Sequence, residues 1–303
     1  MKIEHIIDEL EAFAPLSLQD EWDNSGLQVG DVEQMVQGVL LCLDVTEDVL
    51  DEAIQLDCNL IISHHPLLFK PLRTVSDQTY IERCVIKACK NDLVIYAAHT
   101  NLDNAWGGVN FHLAEKIGLQ QVQILRPKLV GANPCGRPID ANDYKFTNDY
   151  KFTNNHEFAN DYKFANDNEF TNNHGRAGSG VIGVLLSEED EESFLERLKT
   201  IFHLDCLNYS VLTGKKIRKV AICGGSGAFL IPDAIACGAD AFLTGEARYN
   251  NYYDVENHLL LAVLGHYESE ICTKELFFDI ISKKIPNFVV YFSNVDTNPV
   301  NYM

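Results

Sequence analysis

Three fragments of this chain carry side chains suited to metal chemistry: Ser63-His64-His65-Pro66, His99-Thr100-Asn101-Leu102-Asp103 and Gly265-His266-Tyr267-Glu268-Ser269-Glu270. Each follows directly on an apolar, strand-like run. Imidazoles and carboxylates gathered from separate strand ends suit a borderline divalent cation. The number of candidate ligands points to two ions rather than one. Singly, each fragment is ordinary. A histidine after a strand is commonly a hydrogen-bonded or surface residue, and a His/Glu pair four apart is commonly a solvated helix face. Their shared position strengthens the metal reading, because ligand sites in open α/β sheets lie beyond the carboxyl ends of strands.

The local chemistry differs between fragments. Neighbours in a regular strand point to opposite faces. His64 and His65 therefore serve one compact site only if the strand has ended, and Pro66 favours such an end. Asp103 is a candidate ligand, with Asn101 and Asn104 as hydrogen-bonding neighbours. His99 reads three ways, as a ligand, as a supporting group or as an acid-base group. His266 and Glu270, at i and i+4, share a helix face; Glu270 is placed to bridge two ions while His266 binds one. Two carboxylates facing two divalent cations leave positive charge unbalanced, so a bridging water is expected to become hydroxide near neutral pH. Two weaker signals follow other strands. Gly224-Gly225-Ser226-Gly227 is either a phosphate cradle built on backbone N–H groups or a tight turn. Thr244-Gly245-Glu246 brings Glu246 toward the same cleft. Trp22-Asp23-Asn24-Ser25-Gly26 reads as a structural loop with an exposed aspartate.

The elements that must hold these groups alternate along the chain. An amphipathic helix spans residues 1–14. Strands are expected over 38–43, 59–63 and 93–98, with helices over 46–56, 77–91 and 107–117, the last closed by Gly118. The pattern returns with strands over 181–186, 219–223, 241–244, 259–264 and 288–292, and helices over 188–202, 247–257 and 268–284. Such alternation implies α/β architecture with largely parallel sheets flanked by helices.

The middle of the chain breaks the pattern. From Ala141 a six-residue unit repeats, with Asn second and Phe sixth in each complete copy. One apolar position per unit gives a β-helix too thin a core, and the Asn and Asp content favours an exposed low-complexity insertion. The expected organisation is an N-terminal lobe over 1–136, the insertion over 137–176 and a C-terminal lobe over 177–303 that completes the dimetal site.

The bulk numbers narrow the function classes. Hydrophobic residues make up 46% of 303, enough for a large core. Net charge is -20 with no basic cluster, which argues against a nucleic-acid partner but not against a small anionic substrate, since bound cations reverse the local field. No apolar run approaches the ~20 residues of a membrane span, and the acidic first helix does not resemble a secretory leader. Nine cysteines without a Cys-x-x-Cys pair read as buried, reduced thiols of a cytoplasmic protein.

Taken in order, Trp22-Asp23-Asn24-Ser25-Gly26, Ser63-His64-His65-Pro66, His99 to Asp103, Cys223-Gly224-Gly225-Ser226-Gly227, Thr244-Gly245-Glu246 and Gly265 to Glu270 resemble the GTP cyclohydrolase I type 2 / NIF-three-like family. The match covers nearly the whole chain outside the repeat. The resemblance implies two similar α/β lobes and a toroidal homohexamer with its sites facing inward. It implies a dinuclear centre of His64, His65, Asp103, His266 and bridging Glu270, holding two divalent ions per subunit, zinc or iron. It further implies a metal-dependent hydrolase for a small molecule such as a nucleotide, with metal-bound hydroxide as nucleophile and His99 or Glu246 moving protons. A non-catalytic metal-binding scaffold or metal-handling protein is the alternative. Longer family members insert a folded domain where this chain carries its repeat.

Overall fold

The computed structural model describes residues 1–128, 177–285, 288–301 and 303; the hexapeptide repeat and the expected insertion over 137–176 lie outside them. Wholly apolar runs form the central strands. β2 (Val39–Cys42), β3 (Leu60–Ser63) and β4 (Val94–Ala97) are buried at every position, as parallel strands covered on both faces must be. They pair in parallel. β11 (Val290–Phe292) joins β2 in parallel, and β1 (Gly26–Val29) closes the other edge antiparallel to β4. The second sheet runs in the order β5 (Gln120–Lys128), β6 (Ala177–Asp190), β8 (Lys216–Cys223), β9 (Ala241–Thr244), β10 (Leu260–Val263) and β7 (Asn208–Tyr209).

The expectation of largely parallel sheets fits the first sheet and needs correction for the second. Only β8, β9 and β10 are mutually parallel there; β5, β6 and β7 pair antiparallel. β5 alternates half-buried and exposed residues at a sheet edge, which an antiparallel strand tolerates. β5 precedes the repeat yet pairs in the second sheet, and β11 comes late in the chain yet pairs in the first. Each sheet thus takes a strand from the other half of the chain.

Side-chain alternation sorts the strand faces. Leu41, Ile62 and Tyr96 of the first sheet and Ile222, Leu243 and Ala262 of the second belong to one core. That core also holds α1 (Ile3–Phe13), α5 (Val109–Lys116), α6 (Glu191–Phe202) and α10 (Thr273–Lys284). The opposite parity, Leu40, Ile61 and Ile95, packs on α2 (Glu47–Gln55) and α3 (Tyr80–Lys90). Ala221, Phe242 and Leu261 pack on α7 (Ile231–Ala236). Shared helices between the sheets therefore fix the strand ends of one sheet relative to those of the other.

Several helices are shorter than expected. α3 begins at Tyr80, where Thr79 and Glu82 form a capping box. Glu188 to Asp190 extend β6, and the Asp190 carboxylate caps α6. Of the helix expected over 247–257 only the turn α8 (Asn251–Asp254) forms. The expected 268–284 helix starts earlier and divides into α9 (His266–Glu270) and α10. Among the described residues eight cysteines are free; Cys42, Cys58, Cys84, Cys223 and Cys272 are buried, whereas Cys89, Cys206 and Cys237 are exposed. No helix among the described residues is long and apolar enough to cross a membrane.

Candidate metal centre

The three fragments meet between the carboxyl ends of the two sheets. β3 ends at Ser63, whose hydroxyl donates to the His65 carbonyl at 2.8 Å. The chain turns there, and the His64 and His65 rings stand 5.1 Å apart. Asp103 sits on α4 (Thr100–Asn104), just after β4. His266 and Glu270 begin and end α9, entered through Gly265 at φ +101°, a backbone region that favours glycine.

Each imidazole is held from behind through Nδ1. His64 Nδ1 donates to the Ala98 carbonyl at 2.9 Å. His65 Nδ1 contacts Asp44 Oδ1 at 2.7 Å, His99 Nδ1 contacts Asp23 Oδ1 at 2.7 Å, and His266 Nδ1 contacts Glu246 Oε1 at 3.0 Å. An acceptor at Nδ1 selects the tautomer with its proton there and leaves the Nε2 lone pair for a metal. Asp44 and Asp23 are not legible in the sequence as partners of these histidines. Asp23, expected as an exposed turn residue, has a fully buried side chain that accepts from His99, Thr100 and Ser25.

On the inner side the groups converge on Glu270. Its Oε2 lies 2.9 Å from His65 Nε2 and 3.0 Å from His266 Nε2; its Oε1 lies 3.7 Å from His64 Nε2. Asp103 Oδ1 is also 3.7 Å from His64 Nε2. Among the described residues, potential donor atoms gather in two groups, His64 with His65 and His99, and His65 with His266 and Glu270, each within 4.8 Å. Glu270 therefore presents one oxygen to each side of the cluster.

Two observations test whether these residues fit cations. His64 Nε2 is buried and has no hydrogen-bond partner among the described residues, although two carboxylate oxygens face it. A buried acceptor aimed at acceptors is costly unless a cation lies between them. Second, His65 Nε2 and His266 Nε2 are 3.3 Å apart. Two nitrogens at tetrahedral positions about 2.05 Å from zinc would be separated by about 3.3 Å. The residues fit a metal pair.

The electrostatics agree. Burial holds His64 below the ordinary imidazole range. For His65, burial opposes the charge, but Asp44 and Glu270 overcome it and raise the group to about 10. His266 behaves likewise, burial being outweighed by Glu270 and then Glu246, to reach about 8. Burial also opposes charge on Glu270, and the surrounding imidazoles of His266, His64 and His65 more than offset it. Desolvation and the Glu270 charge push Asp103 well above the carboxylate range. Like charges crowd where positive charge is needed, which is the environment a cation relieves.

The glycine loop after β8 serves this cluster rather than a phosphate. Gly224 N–H donates to Asn110 Oδ1 at 2.9 Å, Gly225 N–H to Ser269 Oγ at 3.0 Å and Gly227 N–H to Thr244 Oγ1 at 3.0 Å. With those donors engaged, the phosphate-cradle alternative gives way to the tight turn. A Cβ on Gly225 would meet Glu270 Oε1 at 2.1 Å, so the loop packs directly on the carboxylate. Glu246, expected as a proton carrier, has both oxygens engaged, by His266 and by Ser226 Oγ at 2.7 Å. It lines a neighbouring cavity, whereas His99 lines the one over the cluster.

That cavity, of about 390 Å³, is bounded by His65, His99, Asp103, His266 and Glu270 below and by Trp22, Phe69 and Phe229. The Trp22 and Phe69 rings meet edge to face at 5.9 Å, and both lie close to His99. Trp22 is 61% exposed, an unusual placement for so large an apolar surface.

Residues 1–299 match the family model described as Duf34/NIF3 (NGG1p interacting factor 3). A protein of Clostridium perfringens named GTP cyclohydrolase 1 type 2 homolog is 31% identical over 271 residues, covering 89% of this chain and 87% of that one. A Lactococcus lactis protein of the same name is 29% identical and covers 99% and 98%. Among solved structures, a Bacillus cereus protein related to NIF3 superposes with a TM-score of 0.79 at 25% identity, covering 100% of this chain and 99% of its own. A hypothetical protein of Staphylococcus aureus gives 0.80 at 28% identity with the same coverage.

Proposed function

This chain belongs to the Duf34/NIF3 family, and from that premise we propose that it is a dinuclear metal-dependent hydrolase. Its substrate on this reading is a nucleotide or a related heterocyclic, phosphorylated small molecule, in keeping with the GTP cyclohydrolase name of its relatives. One observation carries the reading: the converging donor set forms the floor of an accessible cavity rather than a sealed knot. A purely structural metal site is closed by protein ligands, whereas a catalytic one keeps room for water and substrate.

The residues divide the work. His64, Asp103 and Glu270 would hold one zinc or iron ion, and His65, His266 and Glu270 the other. When bound, the pair supplies Lewis-acid polarisation of the substrate and eases deprotonation of water. Trp22 and Phe69 offer ring faces and edges to a planar heterocycle. His99 faces the cavity with Asp23 behind it, so it is the group placed to accept a proton and return it; Asp23 stabilises the imidazolium formed. Glu246 orients His266. In so acidic a chain, the metal pair is also the local attraction for an anionic substrate.

The test is a hydrolysis screen of nucleotides and phosphorylated heterocycles on protein loaded with zinc or iron. Turnover should appear on loading, vanish on chelation and return on reloading. Protein that retains two ions yet hydrolyses nothing in the panel would favour the metal-handling scaffold instead. The same reading includes the ring-shaped homohexamer, and light scattering should give the mass of six chains; a monomer at micromolar concentration would refute that part.

A further inference from the structure

The segment after β11 does not leave the molecule but is stitched across the back of the metal centre. Asn294 N–H donates to Glu52 Oε1 at 2.9 Å, and the Ser293 hydroxyl donates to Glu52 Oε2. Lys274 of α10 donates to the Ser293 carbonyl at 3.2 Å, and Asn298 Nδ2 donates to Glu268 Oε1 on α9 at 2.9 Å. Between these fastenings Thr297 Oγ1 donates to Asp44 Oδ2 at 2.8 Å. The other Asp44 oxygen faces His65 Nδ1 at 2.7 Å, and His65 Nε2 faces Glu270 and His266.

We propose that Thr297 is a positioning residue for the metal centre, acting through Asp44 on His65; the proposal rests on the reading of His65 as a ligand. Asp44 stands on the loop after β2, so no helix or ladder fixes its carboxylate. A carboxylate bound at one oxygen can swing about its Cβ–Cγ bond, and the imidazole it aligns swings with it. The Thr297 hydroxyl holds the second oxygen and removes that freedom. Its reach is geometric: the segment's other fastenings at Glu52 and Glu268 hold Thr297 on both sides, and Thr297 hydrogen-bonds the carboxylate that holds His65.

The experiment compares Thr297→Val, Thr297→Ser and Ser293→Ala with the parent in the full chain. Dissociation constants for each of two zinc ions are measured by chelator competition, and melting temperatures of the metal-free proteins alongside. Thr297→Val, which keeps shape and loses the hydroxyl, should weaken one zinc about tenfold, the low end of what outer partners of ligating histidines contribute. The other ion should change by less than about twofold, and the metal-free melting temperature by less than about 2 °C. Thr297→Ser should restore parental affinity. Ser293→Ala fastens the same segment but lies off the relay, and should leave both affinities unchanged. Two ions held as tightly by Thr297→Val as by the parent would overturn this proposal alone. So would equal weakening by Ser293→Ala, or a melting temperature lowered by more than about 5 °C, since either assigns Thr297 a merely structural part. A parent that takes up no zinc overturns both this proposal and the reading beneath it.

Discussion

Glu270→Ala should leave the chain nearly free of bound metal, with content falling from about two ions to well under one after dialysis. Glu270 is a carboxylate that addresses both halves of the cluster with separate oxygens, Oε2 toward His65 and His266 and Oε1 toward His64. On the proposed assignment its removal would take a ligand from each ion, and it would leave imidazoles in a buried space without the carboxylate that offsets their charge. Loss of a partner that only supports a ligand costs roughly 10–100-fold in affinity, and loss of a shared ligand should exceed that for both ions. Glu270→Gln, which keeps the shape and discards the charge, should fall between alanine and the parent. Metal content by mass spectrometry on the dialysed proteins decides it. Two ions retained by the alanine variant would remove Glu270 from the bridging position.

Why Glu270 is visible in the sequence and its supporters are not follows from spacing. His266 and Glu270 are one helical turn apart, and His64 and His65 are adjacent with Pro66 marking the strand end. Those relations are local, so the residues announce themselves. Asp44 lies 21 residues from the histidine it holds and Asp23 lies 76 from His99. An aspartate in a turn has an ordinary explanation, and nothing periodic links it to a distant ring. One signal is present: Asp44 follows an apolar run in the same way as the three metal fragments. The strands that escape a hydropathy reading are also explained by composition. β1 holds four residues beginning at a glycine, β5 is rich in glutamine and contains Pro127, and β7 has two residues. Sheet direction is hidden where the strands are polar on one face, because alternation with helices reports parallel pairing only for the strands it joins. The two-sided apolar strands β2, β3 and β4, the last two of which lead into His64, His65 and His99, are the most legible part of the fold.

Gly225→Ala should weaken metal binding at least about tenfold while costing no more in folding than a glycine-to-alanine change at any left-handed position. The added Cβ would lie 2.1 Å from Glu270 Oε1 and 3.2 Å from its Cδ. A carboxylate tip can move aside cheaply, so the collision is relieved at the expense of the ligand rather than the backbone. The loop has little freedom to give way instead, because the Gly225 N–H is tied to Ser269 and the Gly224 N–H to Asn110. The residue also sits at φ +56°, where an L side chain costs about 1–2 kcal/mol. Gly118→Ala separates the two effects. Gly118 has φ +79°, and a Cβ added there would meet nothing within 4 Å, so it carries the backbone strain without the collision. Both variants should lose a few degrees of melting temperature, by about 2–4 °C per kcal/mol. Only Gly225→Ala should hold zinc more weakly, with affinity lowered at least about tenfold relative to the parent. A Gly225→Ala protein that kept both ions would mean that the glycine loop does not set the position of Glu270.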